Sequence, residues 1–344
     1  MKQRGRVLWF SGAISLLSCS AALLTSVLAF SREKMVVPRV HQQHQDSLTV
    51  GAFNLLHLGY GTHKNYPRVA RIITEHDFDV FAAVEVMKPE GAEALLQALR
   101  QASPAEWELV LSQVPTGERT YKEYLAFYYR SDRIQPLEAD GQYCSREDLH
   151  GLNATPQACF ARDEHAAGAD FERDPFVGHF EAAGHPLTLV AVHLVYGDQS
   201  AHNIEKRQQE AIALHREMDR IREATPEAEI VALGDFNLQL EESEKQRPAA
   251  ITLLPANLLL MAQAFFPADL FQGDHALSGL VTGPTTVGSS SYDHLLVYQD
   301  HRAQWSAPSI IEDVDRHDTA AMALYKQEVS DHFPIQAVLA LPAL

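Results

Sequence analysis

Cysteine is scarce, with three in 344 residues, and none falls in a CxxC or Cys/His spacing, so a structural zinc scaffold and a disulfide-dense miniature fold are both excluded. Basic charge is also short: 28 Lys and Arg stand against 45 Asp and Glu, a net charge of −17. Such a chain does not hold a long polyanion by bulk charge attraction, and an enzyme of this composition acting on a phosphodiester needs a local cation such as a bound divalent metal. Internal repeats and low-complexity tracts are absent, which removes solenoids and disordered tails from consideration. What is present is 46% hydrophobic and 21% charged residues, enough to bury a sizeable core. One large catalytic domain fits that length, although two domains are arithmetically possible.

The N-terminus reads as an address. Lys2, Arg4 and Arg6 precede residues 7–30, a run of 24 without charge, the basic-then-apolar order of an export signal. Cleavage after Val27-Leu28-Ala29, retention as a membrane anchor and a lipoprotein-type site at Leu16-Leu17-Ser18-Cys19 are the three fates open to it. The expectation is an exported protein, periplasmic or secreted, with 1–30 as signal peptide or anchor, 31–46 as linker and 47–344 as the catalytic domain. Cys19 lies in the apolar run, leaving Cys144 and Cys159 as the pair in the folded part. In an exported chain they suggest one disulfide, closing a loop of about 15 residues and contributing roughly 3 kcal/mol; two free thiols are the alternative.

Short apolar runs rich in β-branched and aromatic residues predict strands at 48–55, 80–84, 109–111, 124–129, 176–180, 187–193, 230–233, 293–297 and 335–339. Helical composition covers 67–76, 89–102 and 201–223, the last with Ile204, Ala211, Leu214, Met218 and Ile221 on one face and charges on the other. Tandem strands suggest hairpins, and the helices need sheet faces to cover. An α/β fold in four layers, two packed mixed β-sheets flanked by helices, satisfies both demands. Residues 131–175 and 241–290 are irregular and read as long functional loops.

Chemistry gathers where the strands end. Gly234-Asp235-Phe236-Asn237 follows an apolar run directly, so a tight turn presents a carboxylate and an amide at a sheet edge, a hard oxygen for Mg²⁺, Ca²⁺ or Mn²⁺ beside a neutral donor for a phosphoryl oxygen. Asn54, Glu85, His193, Asp293-His294 and Ser330-Asp331-His332 occupy other strand ends. Any one of them alone is commonly a satisfied surface polar group. Together, on strands sharing one pair of sheets, they would converge on one edge, where catalytic groups on rigid scaffolds are found.

This ordered set resembles the endonuclease/exonuclease/phosphatase superfamily, and within it the secreted deoxyribonuclease I branch, over about 47–341. Arg119-Thr120-Tyr121-Lys122-Glu123 and the strand it enters, and Phe171-Glu172-Arg173-Asp174-Pro175-Phe176-Val177 with the Cys144/Cys159 excursion before it, carry the closer likeness. The resemblance implies a metal-dependent endonuclease cutting DNA, double-stranded, to 5′-phosphate ends. It implies Mg²⁺, alone or with Ca²⁺, or Mn²⁺, held by Glu85 with Asn54 and Asp331, while Asp235 and Asn237 shape the metal and phosphate site. His332, oriented by Asp293, would take a proton from the attacking water, and His193, paired with Glu123, would protonate the leaving 3′ oxygen. Arg173 would clamp the scissile phosphate, Tyr121 would pack against the sugar in the minor groove, and His294 would join the substrate contacts.

Four departures qualify the likeness. Leu56 stands two residues after Asn54, where that branch has an arginine, so a phosphate contact is lost or supplied by Arg173 or His57. Val84 replaces a glutamine before Glu85, and His294 replaces a basic residue after Asp293. The excursion 143–172 is longer than its counterpart. Two rival readings are a phosphoesterase of the same fold acting on a phospholipid or other phosphoester, in the manner of a sphingomyelinase or phosphoinositide phosphatase, and a noncatalytic exported binding protein. The second would be expected to lack a member of a His pair, yet His193, Glu123, His332, Asp293 and Glu85 are all present.

Overall fold

The computed structural model describes residues 46–61, 63–117, 121–138, 158–161, 171–197, 200–240, 265–281 and 283–342, all within the unit His44–Leu344. In chain order its strands are β1 (Ser47–Leu58), β2 (Val80–Val86), β3 (Trp107–Leu111), β4 (Tyr124–Arg130), β5 (Gln135–Pro136), β6 (Ala158–Phe160) and β7 (Phe176–Ala182). They continue with β8 (His185–His193), β9 (Glu229–Asp235), β10 (Leu277–Gly279), β11 (Asp293–Tyr298), β12 (Ser309–Ile310) and β13 (Ile335–Ala340). The α-helices are α1 (Tyr66–Glu75), α2 (Pro89–Ala102), α3 (Ala201–Ala224) and α4 (Thr319–Glu328).

Two sheets form. The first has the order β12-β13-β1-β2-β4-β3, the second β10-β11-β9-β8-β7-β5 with β6 also on β7. Each is mixed, because β1–β2 and β8–β9 run parallel among antiparallel neighbours. The expected hairpins are present: β3 pairs with β4, and β7 with β8 across a two-residue turn in which Ala183 (φ 48°) and Gly184 (φ 78°) both take positive φ, matching the twist of the strands.

The period-2 alternation of strand side chains produces the layers. Ala82 and Val84 of β2 join Phe127, Phe176, Leu189, Leu233 and Leu295 in the core between the sheets. Phe81 and Ala83, one residue out of phase, pack outward with Phe53, Ile72, Leu95 and Leu99 against α1, α2 and α4. On the far side Val190, Val192, Ala232 and Leu296 meet Leu214, Met218 and Ile221 of α3. Helices, sheet, sheet and helix are the four layers expected.

The structure differs from the sequence reading in three places. The span 131–175 contains β5 and β6, and 241–290 contains a 3-10 turn, Ala268–Phe271, and β10. Helix α4 escaped notice because only Met322 and Tyr325 of its ten residues are buried, too few for a visible stripe; the Asp318 carboxylate caps it through the N–H groups of Ala320 and Ala321. On α3, Arg207, Glu210 and Glu217 are buried rather than solvated. The apolar run 7–30, Cys144 and Arg119 lie outside the described residues; Cys159 is buried in β6. No helix among the described residues is long and apolar enough to cross a membrane.

Candidate active site

Strand direction brings the polar strand ends together. The carboxyl ends of parallel β1, β2, β8 and β9 share one edge with the starts of their antiparallel neighbours: β4 begins opposite Val86, β7 opposite Ala191, β11 opposite Asp235, and β13 opposite Ala52. A cavity of about 500 Å³ opens there, and His57, Glu85, Tyr121, Arg173, His193, Asp235, Asn237, Asp331 and His332 all line it.

The backbone is bent to aim them. Register shifts interrupt β1 between Asn54 and Leu58 and β2 between Ala83 and Val86. Leu56, His57 and Glu85 take positive φ (41°, 58° and 58°), a conformation that costs a side-chain-bearing residue energy and marks a held functional geometry. Asn237 has φ 51° in the turn after β9. Gly234 there has φ 140°, and a Cβ on it would lie 2.1 Å from the carbonyl oxygen of Val192, so no other residue fits.

Two imidazole–carboxylate dyads dominate the site. His193 Nδ1 lies 2.7 Å from Glu123 Oε1, and His332 Nδ1 lies 2.7 Å from Asp293 Oδ2. The two Nε2 atoms then face one carboxylate oxygen, Asp235 Oδ2, from 3.8 and 3.6 Å. Asn54 Nδ2 donates to that same oxygen and to Glu85 Oε1, both at 3.0 Å. Ser330 fastens the edge, donating to Asn54 O at 2.6 Å and accepting from His332 N at 3.1 Å.

Electrostatics separate the dyads. Burial, with Arg173 alongside, pushes His193 down to about 4, so its imidazole is neutral near pH 7. Burial also works against charge on His332, but Asp293, Asp235 and Asp331 together outweigh it and push the group up to about 10. Glu123, fully buried, is raised to about 7 against the pull of Arg173. Lys64, absent from the sequence reading, donates Nζ to the carbonyls of Leu55 and Val329 beneath Glu85 and Asp331, and burial lowers it to about 8.

Some expected roles meet a different geometry. His294 does not line the cavity: it follows Asp293 on a strand, so its side chain leaves by the opposite face. There its Nε2 lies against the carbonyls of Leu238 and Ser291 and its ring packs on Phe236 and Phe266, so it holds the 236–238 turn from behind. Arg173 is committed to the protein, donating from Nε to His193 O (3.0 Å), from Nη2 to Leu194 O (2.9 Å) and from Nη1 to Glu172 (3.3 Å). Asn54, expected as a metal ligand, accepts from Leu56 N through its oxygen and donates from its amide nitrogen to Glu85 and Asp235. Glu123 and Asp293 stand behind the histidines. Sequence reasoning also missed Glu172, Tyr196, Tyr292 and Lys326 on the wall; Tyr196, three residues past the strand-end His193, was the one with a positional signal.

A divalent ion fits the donor set. Glu85 and Asp235 oxygens converge on one amide, and the ligand atoms of Asp235, Asp293 and His332 lie within 4.8 Å of one another. Hard oxygens of this kind suit Mg²⁺, Ca²⁺ or Mn²⁺. Asp331, also on the wall, is 3.3 Å from Lys326 of α4.

The endonuclease/exonuclease/phosphatase family profile matches residues 51–332, from β1 to the second dyad histidine. The chain belongs to that family. Among curated relatives, a deoxyribonuclease of Thioalkalivibrio sp. (strain K90mix) is 32% identical over 195 residues, 56% of this chain but only 46% of that protein, so this chain spans under half of that relative's length. Deoxyribonuclease-1 of Sus scrofa is 24% identical over 307 residues, covering 85% of this chain and 92% of its own. A family member from Bacteroides thetaiotaomicron shares the fold with a TM-score of 0.51 at 18% identity, over 86% of this chain and 98% of its own. The human Nocturnin catalytic domain does so with a TM-score of 0.50 at 13% identity, over 86% and 95%.

Proposed function

We propose that this chain is an exported, divalent-metal-dependent endonuclease that hydrolyses DNA phosphodiester bonds to 5′-phosphate ends, with duplex DNA as substrate. The observation carrying the reading is the pair of dyads whose Nε2 atoms face one oxygen of Asp235 in a shared cavity. An in-line displacement needs a proton acceptor for the attacking water and a proton donor for the leaving oxygen, and two carboxylate-held imidazoles can supply one each. The deoxyribonuclease relatives support DNA as the substrate class.

Within this reading His332, held by Asp293, accepts the water proton at Nε2, and His193, held by Glu123, delivers a proton to the 3′ oxygen, the order that the family resemblance implies. A divalent ion beside Asp235 and Asp331 would offset the negative charge that holds the proton on His332. Asp235 and Asn237 orient the groups between them. Glu85, with Asp235 and Asp331 near, would hold the divalent ion, which offsets charge developing on the phosphoryl oxygens. The need for it is local: Glu85, Glu172, Asp235 and Asp331 line the wall against Arg173 and Lys326, both already paired to carboxylates, so an unaccompanied phosphate meets net negative charge. Tyr121 lines the same cavity and would make the sugar contact.

Nicking of supercoiled plasmid by the purified protein tests the reading. Cleavage with Mg²⁺ that stops with EDTA and in His332→Ala supports it; no cleavage by folded, metal-replete protein rejects DNA as substrate. Export and a Cys144–Cys159 disulfide belong to the same proposal. N-terminal sequencing of protein from the cell envelope and medium, and thiol counting before and after reduction, decide them.

A further inference from the structure

Glu210 is buried on α3, 2% exposed, in a helix whose charges the sequence pattern assigns to solvent. Both its oxygens are engaged by main chain. Oε1 accepts from Glu172 N and Oε2 from Val195 N, each at 2.7 Å. One turn earlier, Arg207 Nη1 donates to Gly197 O at 3.0 Å. These are the two segments that build one side of the cavity: Glu172 precedes Arg173, and Val195 lies two residues after His193.

The hydrogen bonds close a circuit. Glu210 holds Glu172 and Val195; the next residue, Arg173, donates to the carbonyls of His193 and Leu194; Asn237 Nδ2 donates to the same Leu194 carbonyl at 3.1 Å. A shift of Glu210 therefore moves the backbone of His193 and the Asp235–Asn237 turn together. Only a carboxylate offers two acceptors with no donor, whereas a glutamine would turn an NH₂ toward one of the two N–H groups. Burial of such a group is costly, raising Glu210 to about 7 against the two amides and Arg173.

We propose that Glu210 is a positioning residue of the active site, clamping the His193 and Arg173 segments through their amides so that the His193 imidazole meets Glu123 and Asp235. The proposal rests on the cavity being catalytic. It touches no substrate, so its signature is in turnover rather than in binding.

The test is Glu210→Gln alone and combined with His193→Ala, in the full chain, assayed on plasmid DNA with Mg²⁺ and compared per folded molecule. The expected result is a kcat lower by about tenfold or more with KM within about twofold, and a clearly smaller loss in the His193→Ala background. An unchanged kcat, or an equal loss in both backgrounds, overturns it. Amide hydrogen exchange supplies an arm that needs no activity. The Glu172 and Val195 amides should exchange slowly in the native protein and about tenfold faster in Glu210→Gln. Fast exchange at both in the native protein overturns the proposal even where the variant does not fold. If the native protein cuts no DNA, the nuclease reading fails by itself, and the exchange arm still decides the clamp.

Discussion

The two dyads share a hydrogen-bond length of 2.7 Å and a buried setting, yet they differ in charge. Each crosses between the sheets, in opposite senses. Glu123 precedes β4 of the first sheet and meets His193 of the second, whereas His332 precedes β13 of the first and meets Asp293 of the second. Around His193 burial acts first and Arg173 adds to it, and together they outweigh Asp235 and Glu85. Around His332 stand Asp293, Asp235 and Asp331, which overcome burial. One hydrogen bond to a carboxylate thus fixes an imidazole's orientation without fixing its charge; the sign of the remaining neighbours does that.

Removing either ring breaks the comparison most severely. His193→Ala and His332→Ala should each lower kcat on DNA by about 10²–10⁴ with the fold retained, measured by nicking rates beside circular dichroism. Next in size, Glu85→Gln should raise the Mg²⁺ concentration for half-maximal activity by about tenfold or more, because it removes a carboxylate from the one place where two converge on Asn54. Metal titration of the rate checks it. Asp293→Asn should lower kcat by about 10–100-fold and pull His332 down toward its ordinary value. As the proposed base His332 must be neutral, so activity rises as pH rises through its pKa, and the acid limb of the variant should lie at lower pH than that of the native protein. The smallest effect is expected from Ser330→Ala, about 1 kcal/mol of stability in urea titration, from the two hydrogen bonds tying β1 to the His332 segment.

Much of this was legible beforehand because strand-end chemistry is local in sequence. An apolar run closing on Glu85, His193 or Asp235 shows both the strand and the group it delivers, and the hairpins at 109–129 and 176–193 follow from spacing. His294 was legible in principle, since neighbours on a strand face opposite ways and Asp293 had the better claim to the site. What the pattern hid depends on tertiary placement. Helix α4 buries only two side chains, Lys64 lies in a loop, and Glu210 sits among helix charges that periodicity assigns to solvent. The commitment of Arg173 to carbonyls, likewise, appears only when β7 and β8 pair.

The division of labour between the dyads is tested most directly by the leaving group. His193→Ala and His332→Ala are compared on DNA and on a nitrophenyl phosphodiester of thymidine, whose leaving group departs without a proton. His193→Ala should regain most of the native rate on the activated substrate, while His332→Ala stays impaired on both. Recovery by His332→Ala with persistent loss in His193→Ala would contradict the assignment and reverse the order implied by the family resemblance.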